Sequence, residues 1–243
     1  MQATASKGWR GRTPFIGRAR ERSLITGELS RESVLLTITG PSGIGKTRLA
    51  KQIGVELLDA YQEDGGVWFC SLADCRTAAE VESGIARTLG IPQKSDADLA
   101  SAISSRGRML LILDNLDSAA LQVGELLDDW LDSCPHLQLL TTSITPISVE
   151  GAIRIELGPL ATSDAVALYL ERAHRASADT LVAESDRPAV EELVRRLDGI
   201  PLAIELAAAR VRVLPPKALL SRFGERFELL RSDAPGNTST PSL

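Results

Sequence analysis

Residues 34–47 read VLLTITGPSGIGKT. An apolar, β-branched run leads directly into the pattern G-x-x-x-x-G-K-[ST], spanning Gly40 to Thr47. The run has the composition of a buried strand. After the loop, Leu49, Ile53 and Leu57 recur every four residues and put one apolar stripe on a helix. Strand, glycine loop, helix is the context in which this pattern cradles phosphate. Gly43 and Gly45 can take positive φ and let successive N–H groups turn into one concavity. The helix starting near Lys46 adds the partial positive charge of its N-terminus. Lys46 is expected to reach the β- and γ-phosphates, and the Thr47 hydroxyl to hold Mg²⁺. Pro41, Ser42 and Ile44 fill the variable positions, and Arg48 follows in the first helical turn.

A phosphate-bound Mg²⁺ also needs a carboxylate at the end of a neighbouring strand. Met109 to Leu113 form the most apolar run of the chain, and Asp114 follows directly. The run is far short of the roughly 20 residues that span a membrane. A buried parallel strand ending in an acid fits the Walker B role. An acid capping the next helix is the plainer reading, though Asn115 or Ser118 could cap equally well.

Strand-like runs at 66–71, 137–142 and 152–156 alternate with helical stretches at 18–29, 77–89 and 96–105. Another helix is expected where Ala119, Val123, Leu126, Leu127 and Trp130 share a stripe, closed at Cys134 and Pro135. This alternation predicts an α/β fold, a parallel sheet with helices on both faces. Beyond Thr162 the pattern is helical only, at 164–176, 188–197, 202–213 and 217–223. Gly199 and Pro201 mark one helix end and the next helix start. The expected division is a P-loop domain over 14–160 and a small all-helical lid over 161–231. Residues 1–13 and 232–243 are expected as loose tails.

Lys and Arg total 27 against 32 Asp and Glu, a formal charge of −5. That argues against a surface-wide nucleic-acid footprint. Cys70, Cys75 and Cys134 lack C-x-x-C spacing, and with only His136 and His174 beside them they suit buried thiols in a reducing compartment. The N-terminus carries Lys7, Arg10 and Arg12 without an apolar core, so no signal peptide is expected and a cytoplasmic protein is.

Five segments in order resemble the STAND/NB-ARC class of signalling P-loop ATPases, in particular the nucleotide-binding module of bacterial multidomain transcriptional regulators. Phe15, Ile16, Gly17 and Arg18, followed by Glu21, look like the N-terminal motif that in this class lies against adenine. Gly40 to Thr47 is the Walker A loop. Residues 111–115 with Asp117 resemble its LDNxE form of Walker B. Residues 140–143, containing Thr142, are similar to the sensor 1 strand. Residues 196–210, with Pro201 and Leu202, resemble the GLPLA segment of the lid.

The resemblance implies ATP or ADP with Mg²⁺ as cofactors, base contacts from residues 15–18 and from Pro201 and Leu202, and Thr142 near the phosphates. Lys46, Asp114, Asn115 and Asp117 would carry whatever hydrolysis occurs. A slow nucleotide-dependent switch is implied, with weak Mg-dependent ATPase activity. Self-association or effector domains outside this chain would be its partners. Two features depart from the class. Ile144 stands where an arginine usually follows the sensor strand, and Asn115 holds the place of a second Walker B acid. The winged-helix segment that usually follows the lid, with its ADP-touching histidine, has no counterpart before Leu243. An AAA+ type motor or DNA-loading ATPase is the main alternative, and a small-molecule kinase a lesser one. The first would be expected to carry Asp-Glu at Walker B, the second an arginine-bearing lid.

Overall fold

The structure is a computed structural model describing residues 13–31, 33–92, 99–176 and 183–222. Two compact units divide between Gly158 and Pro159.

The first unit is built on five parallel strands: β1 (Val34–Thr39), β2 (Gly66–Ser71), β3 (Met109–Asp114), β4 (Leu137–Ser143) and β5 (Ile153–Glu156). Their order is β2-β3-β4-β1-β5. β1, β3 and β4 are buried along their whole length, which is why they read as continuous apolar runs rather than alternating ones. Helices are α1 (Ala19–Glu28), α2 (Lys46–Leu57), α3 (Ala78–Leu89), α4 (Leu99–Ser104) and α5 (Gly124–Ser133).

Strand side chains alternate between faces. Leu35, Leu111, Leu113, Leu137 and Leu139 join α3, α4 and α5 residues such as Ile85, Ile103 and Leu127 in one apolar cluster. α2 packs against β1 to β4 and buries Leu49, Ala50, Ile53 and Gly54. Ile53 is fully buried, so Ile53→Ala is expected to cost about 2–5 kcal/mol. Denaturant unfolding of both proteins measures it; a loss under about 1 kcal/mol would mean that α2 repacks freely.

Local signals explain several boundaries. Thr77 accepts from the Glu80 N–H while the Glu80 carboxylate accepts from the Thr77 N–H, a complete capping box for α3,. Gly90, at φ 68°, ends the same helix in the left-handed region,.

The apolar stripe from Ala119 to Trp130 is only partly helical. Residues 117–122 are turns, and α5 starts at Gly124. Tertiary bonds override the periodicity here. The Asp117 carboxylate accepts from Ser143 Oγ at 3.0 Å and from the Ile144 N–H, holding the first residues against the end of β4. Ala119 and Val123 are nevertheless fully buried. Burial pushes the Cys70 thiol up to about 11, which keeps it a protonated core residue.

The second unit is helical among its described residues: α6 (Thr162–Ala176), α7 (Arg187–Arg196), α8 (Pro201–Ala208) and α9 over 216–222. α6 and α8 are tied by Arg172 Nε to Glu205 Oε1 at 2.9 Å. α8 is shorter than the 202–213 expected. Arg210 and Val211 donate to carbonyls three residues back, the tightening that ends a helix. Gly199, at φ 60°, packs its Cα against the Leu160 carbonyl, which an added Cβ would approach to 2.8 Å.

Candidate nucleotide-binding site

The site lies at the carboxyl ends of β1, β3 and β4. In an open α/β sheet with this strand order, that edge carries the ligand. β1 ends at Thr39, and the chain then turns through Gly40, Gly43 and Gly45 at φ 144°, 78° and 100°. Only glycine adopts such angles without strain. Gly40 is required for a second reason. A Cβ there would stand 2.7 Å from the Leu157 carbonyl oxygen.

α2 begins at Lys46 with no side-chain cap and no acidic residue in its first turn. Its N-terminal N–H groups are therefore left for an anionic group. Lys46 Nζ donates to the Gly40 carbonyl at 2.7 Å and to the Pro41 carbonyl at 3.2 Å. The ammonium is held over the loop by these two bonds, with one proton uncommitted to either.

Where the loop enters α2, three hydroxyl and carboxylate groups meet. Asp114, 6% exposed, accepts at Oδ1 from Thr47 Oγ1 and from Thr142 Oγ1, both at 2.7 Å. Thr142 in turn accepts the Asn115 N–H at 2.9 Å. Leu113 pairs with Thr141 across β3 and β4, so the next residues along, Asp114 and Thr142, are brought side by side. Thr47 keeps its lone pairs while donating to Asp114. A hydroxyl and a carboxylate arranged this way suit a hard cation that takes oxygen ligands. The donor set fits Mg²⁺ with a nucleoside phosphate. Lys46, Thr47 and the loop N–H groups would hold the phosphates, and Thr47 and Asp114 the metal. Bound there, Mg²⁺ would neutralise phosphate charge.

The remaining expected site residues divide. Asn115 sits in the left-handed region at φ 63°, directly after β3. Asp117 is spent on Ser143 and Ile144, away from the Asp114 cluster's own hydrogen bonds. Phe15, Ile16 and Gly17 are half-buried ahead of α1, and the Arg22 guanidinium lies 5.9 Å from the Phe15 ring centre. Arg18 is buried and donates to Ile44, Gly158 and Glu21. Arg48 donates to Thr13 and Pro14, so it fastens the segment ahead of α1 to α2. Pro41 and Ser42 are exposed on the loop, and Ile44 is fully buried beneath it. Pro201 and Leu202 open α8 in the second unit, and Leu202 is 50% exposed.

Sequence reasoning missed the pairing of Ser143 with Asp117, the contact of Leu157 with Gly40 and that of Gly158 with Arg18. The last two join residues over a hundred positions apart, and no local pattern announces them.

This sheet order with a Walker A loop and a carboxylate at the end of β3 defines a P-loop NTPase. Residues 34–177 match the NACHT domain, and the chain belongs to that family of STAND NTPases. The match bears out the STAND resemblance. The finer NB-ARC likeness stays a resemblance.

An uncharacterized protein of Mycobacterium tuberculosis is 37% identical over 233 residues, covering 94% of this chain and 58% of that protein. A second M. tuberculosis protein, named as an HTH-type transcriptional regulator, is 38% identical over 216 residues, covering 86% of this chain and 24% of its own. The chain thus spans less than two thirds of the length of either relative.

Among solved structures, a Walker-type ATPase of Pyrococcus abyssi superposes with a TM-score of 0.63 at 16% identity, over 90% of this chain and 77% of that one. The structure of Drosophila ORC bound to DNA gives 0.61 at 15%, over 92% and 70%. Both likenesses are of fold. Among the described residues, no helix is long and apolar enough to cross a membrane.

Proposed function

We propose that this chain is the Mg-ATP/ADP-binding module of a signal-transduction ATPase and acts as a slow nucleotide-dependent switch. The observation that carries the reading is the Thr47–Asp114–Thr142 cluster facing an uncapped helix N-terminus and Lys46. Those groups supply what a magnesium-bound di- or triphosphate needs and little that would activate water. A switch between two forms needs differential affinity, about 5.5 kcal/mol to move a population from 1:99 to 99:1. In this reading the γ-phosphate supplies that difference. Output passes to effector domains outside the chain, in keeping with the transcriptional-regulator name of one longer relative. The likeness to ORC keeps a DNA-loading ATPase as the second reading, and Asn115 in place of a second acid disfavours it. Identifying by mass the nucleotide carried by the purified chain tests the proposal. ADP or ATP supports it, and a guanine nucleotide in preference to adenine would refute the base assignment.

Nucleotide is also expected to stabilise the fold. Ligand at 100 times its dissociation constant adds about 2.7 kcal/mol. A melting scan with and without Mg-ADP reads this directly. An unchanged melting temperature at saturating Mg-ADP would contradict it.

A further inference from the structure

Arg18 is a cation turned into the interior. It stands at φ 64° after Gly17 at 77°, and it is 7% exposed. A bulky residue in the left-handed region is strained and persists only where its surroundings hold it. Here the surroundings include three acceptors. Nη1 donates to Glu21 Oε1 at 3.0 Å, and Nη2 donates to the Ile44 carbonyl at 3.3 Å and to the Gly158 carbonyl at 2.6 Å.

Each acceptor is itself fixed. Glu21 lies in the first turn of α1. The Leu157 N–H, one residue before Gly158, donates to the Thr39 carbonyl at 2.8 Å. The Leu157 carbonyl abuts Gly40 so closely that no Cβ fits between them. The guanidinium therefore joins the phosphate loop to the segment that follows β5. A lysine, with one ammonium, could not present a planar fork to all three acceptors.

The consequence follows from peptide planarity. In a trans peptide the carbonyl of one residue and the N–H of the next point in opposite directions. Arg18 holds the Ile44 carbonyl toward itself, so the Gly45 N–H points the other way. Among the described residues that N–H has no hydrogen-bond partner, in a loop whose other turns bend the backbone around a concavity,. A cation on the carbonyl also polarises the peptide and makes its N–H a stronger donor.

We propose that Arg18 is a positioning residue of the phosphate loop. It orients the Ile44–Gly45 peptide so that the Gly45 N–H meets the bound phosphate, and its guanidinium does not read the base. This rests on the nucleotide-binding reading above.

Arg18→Lys and Arg18→Gln, each checked for folding by circular dichroism, are titrated with Mg-ADP and Mg-GDP beside the wild type. Loss of the oriented donor is expected to weaken both ligands about tenfold, leaving their ratio unchanged. Folded variants with wild-type ADP affinity would overturn the proposal. So would a loss confined to ADP, the mark of a base contact. If neither variant folds, the Gly45 amide proton of the wild type decides by NMR. A downfield shift on adding Mg-ADP supports the orientation, and no shift overturns it. Wild type that binds neither ligand would instead defeat the nucleotide reading itself.

Discussion

Steady-state phosphate release from this chain is expected to stay below about one turnover per minute, because the groups that activate and stabilise the reaction are missing or committed. Asn115 follows Asp114, the proposed metal ligand, and an amide can orient a water but cannot take its proton. The next acid along the chain, Asp117, already accepts from Ser143 Oγ and the Ile144 N–H. Ile144, where the resemblance places an arginine, is aliphatic and 49% exposed. An arginine on transition-state charge contributes about a thousandfold or more in the P-loop enzymes that use one. Even one lost preorganised donor costs about 10²–10³ in rate. Ile144→Arg is therefore expected to speed phosphate release, read by a coupled phosphate assay under saturating Mg-ATP. Brisk turnover by the wild type would mean that a group outside this account activates the water.

The other large effect is expected at Lys46. Its ammonium sits over the loop on the Gly40 and Pro41 carbonyls, where an incoming phosphate would meet it. A charge-assisted hydrogen bond contributes about 1.5–3 kcal/mol. Lys46→Ala should accordingly weaken Mg-ADP and Mg-ATP roughly ten- to hundredfold. The side chain is only half-buried, so the fold should tolerate its removal. Titration of a fluorescent adenine nucleotide into both proteins measures the effect, and equal affinities would take the phosphates off this loop.

Much of this architecture was legible because the informative residues are local. β1, the glycine loop and α2 follow one another without a gap, and each announces itself by composition. β3 ends in Asp114 as an apolar run ending in an acid should. Thr77 and Gly90 bracket α3 with ordinary helix signals. What the residues could not reveal is whatever depends on strand order. The sequence of strands does not dictate that β4 lies between β3 and β1. That placement is what lets Thr142 reach Asp114 and Ser143 reach Asp117. The same non-local bonds explain the shortened α5, whose apolar stripe is real but whose first residues are captured by the end of β4. Arg18 is the clearest case. The resemblance assigned its motif to the base, while its guanidinium bridges Ile44 and Gly158, a residue 140 positions away. Nothing in the neighbourhood of residue 18 encodes that partner.

The central claim is that the strand–loop–helix of residues 34–57, with Asp114, holds a magnesium-bound adenine nucleotide. Calorimetric titration of ADP into the purified chain, with and without Mg²⁺, tests it most directly. The account predicts saturable one-to-one binding that tightens when Mg²⁺ is added. A chain that gives no binding heat under either condition, while folded by circular dichroism, would contradict it.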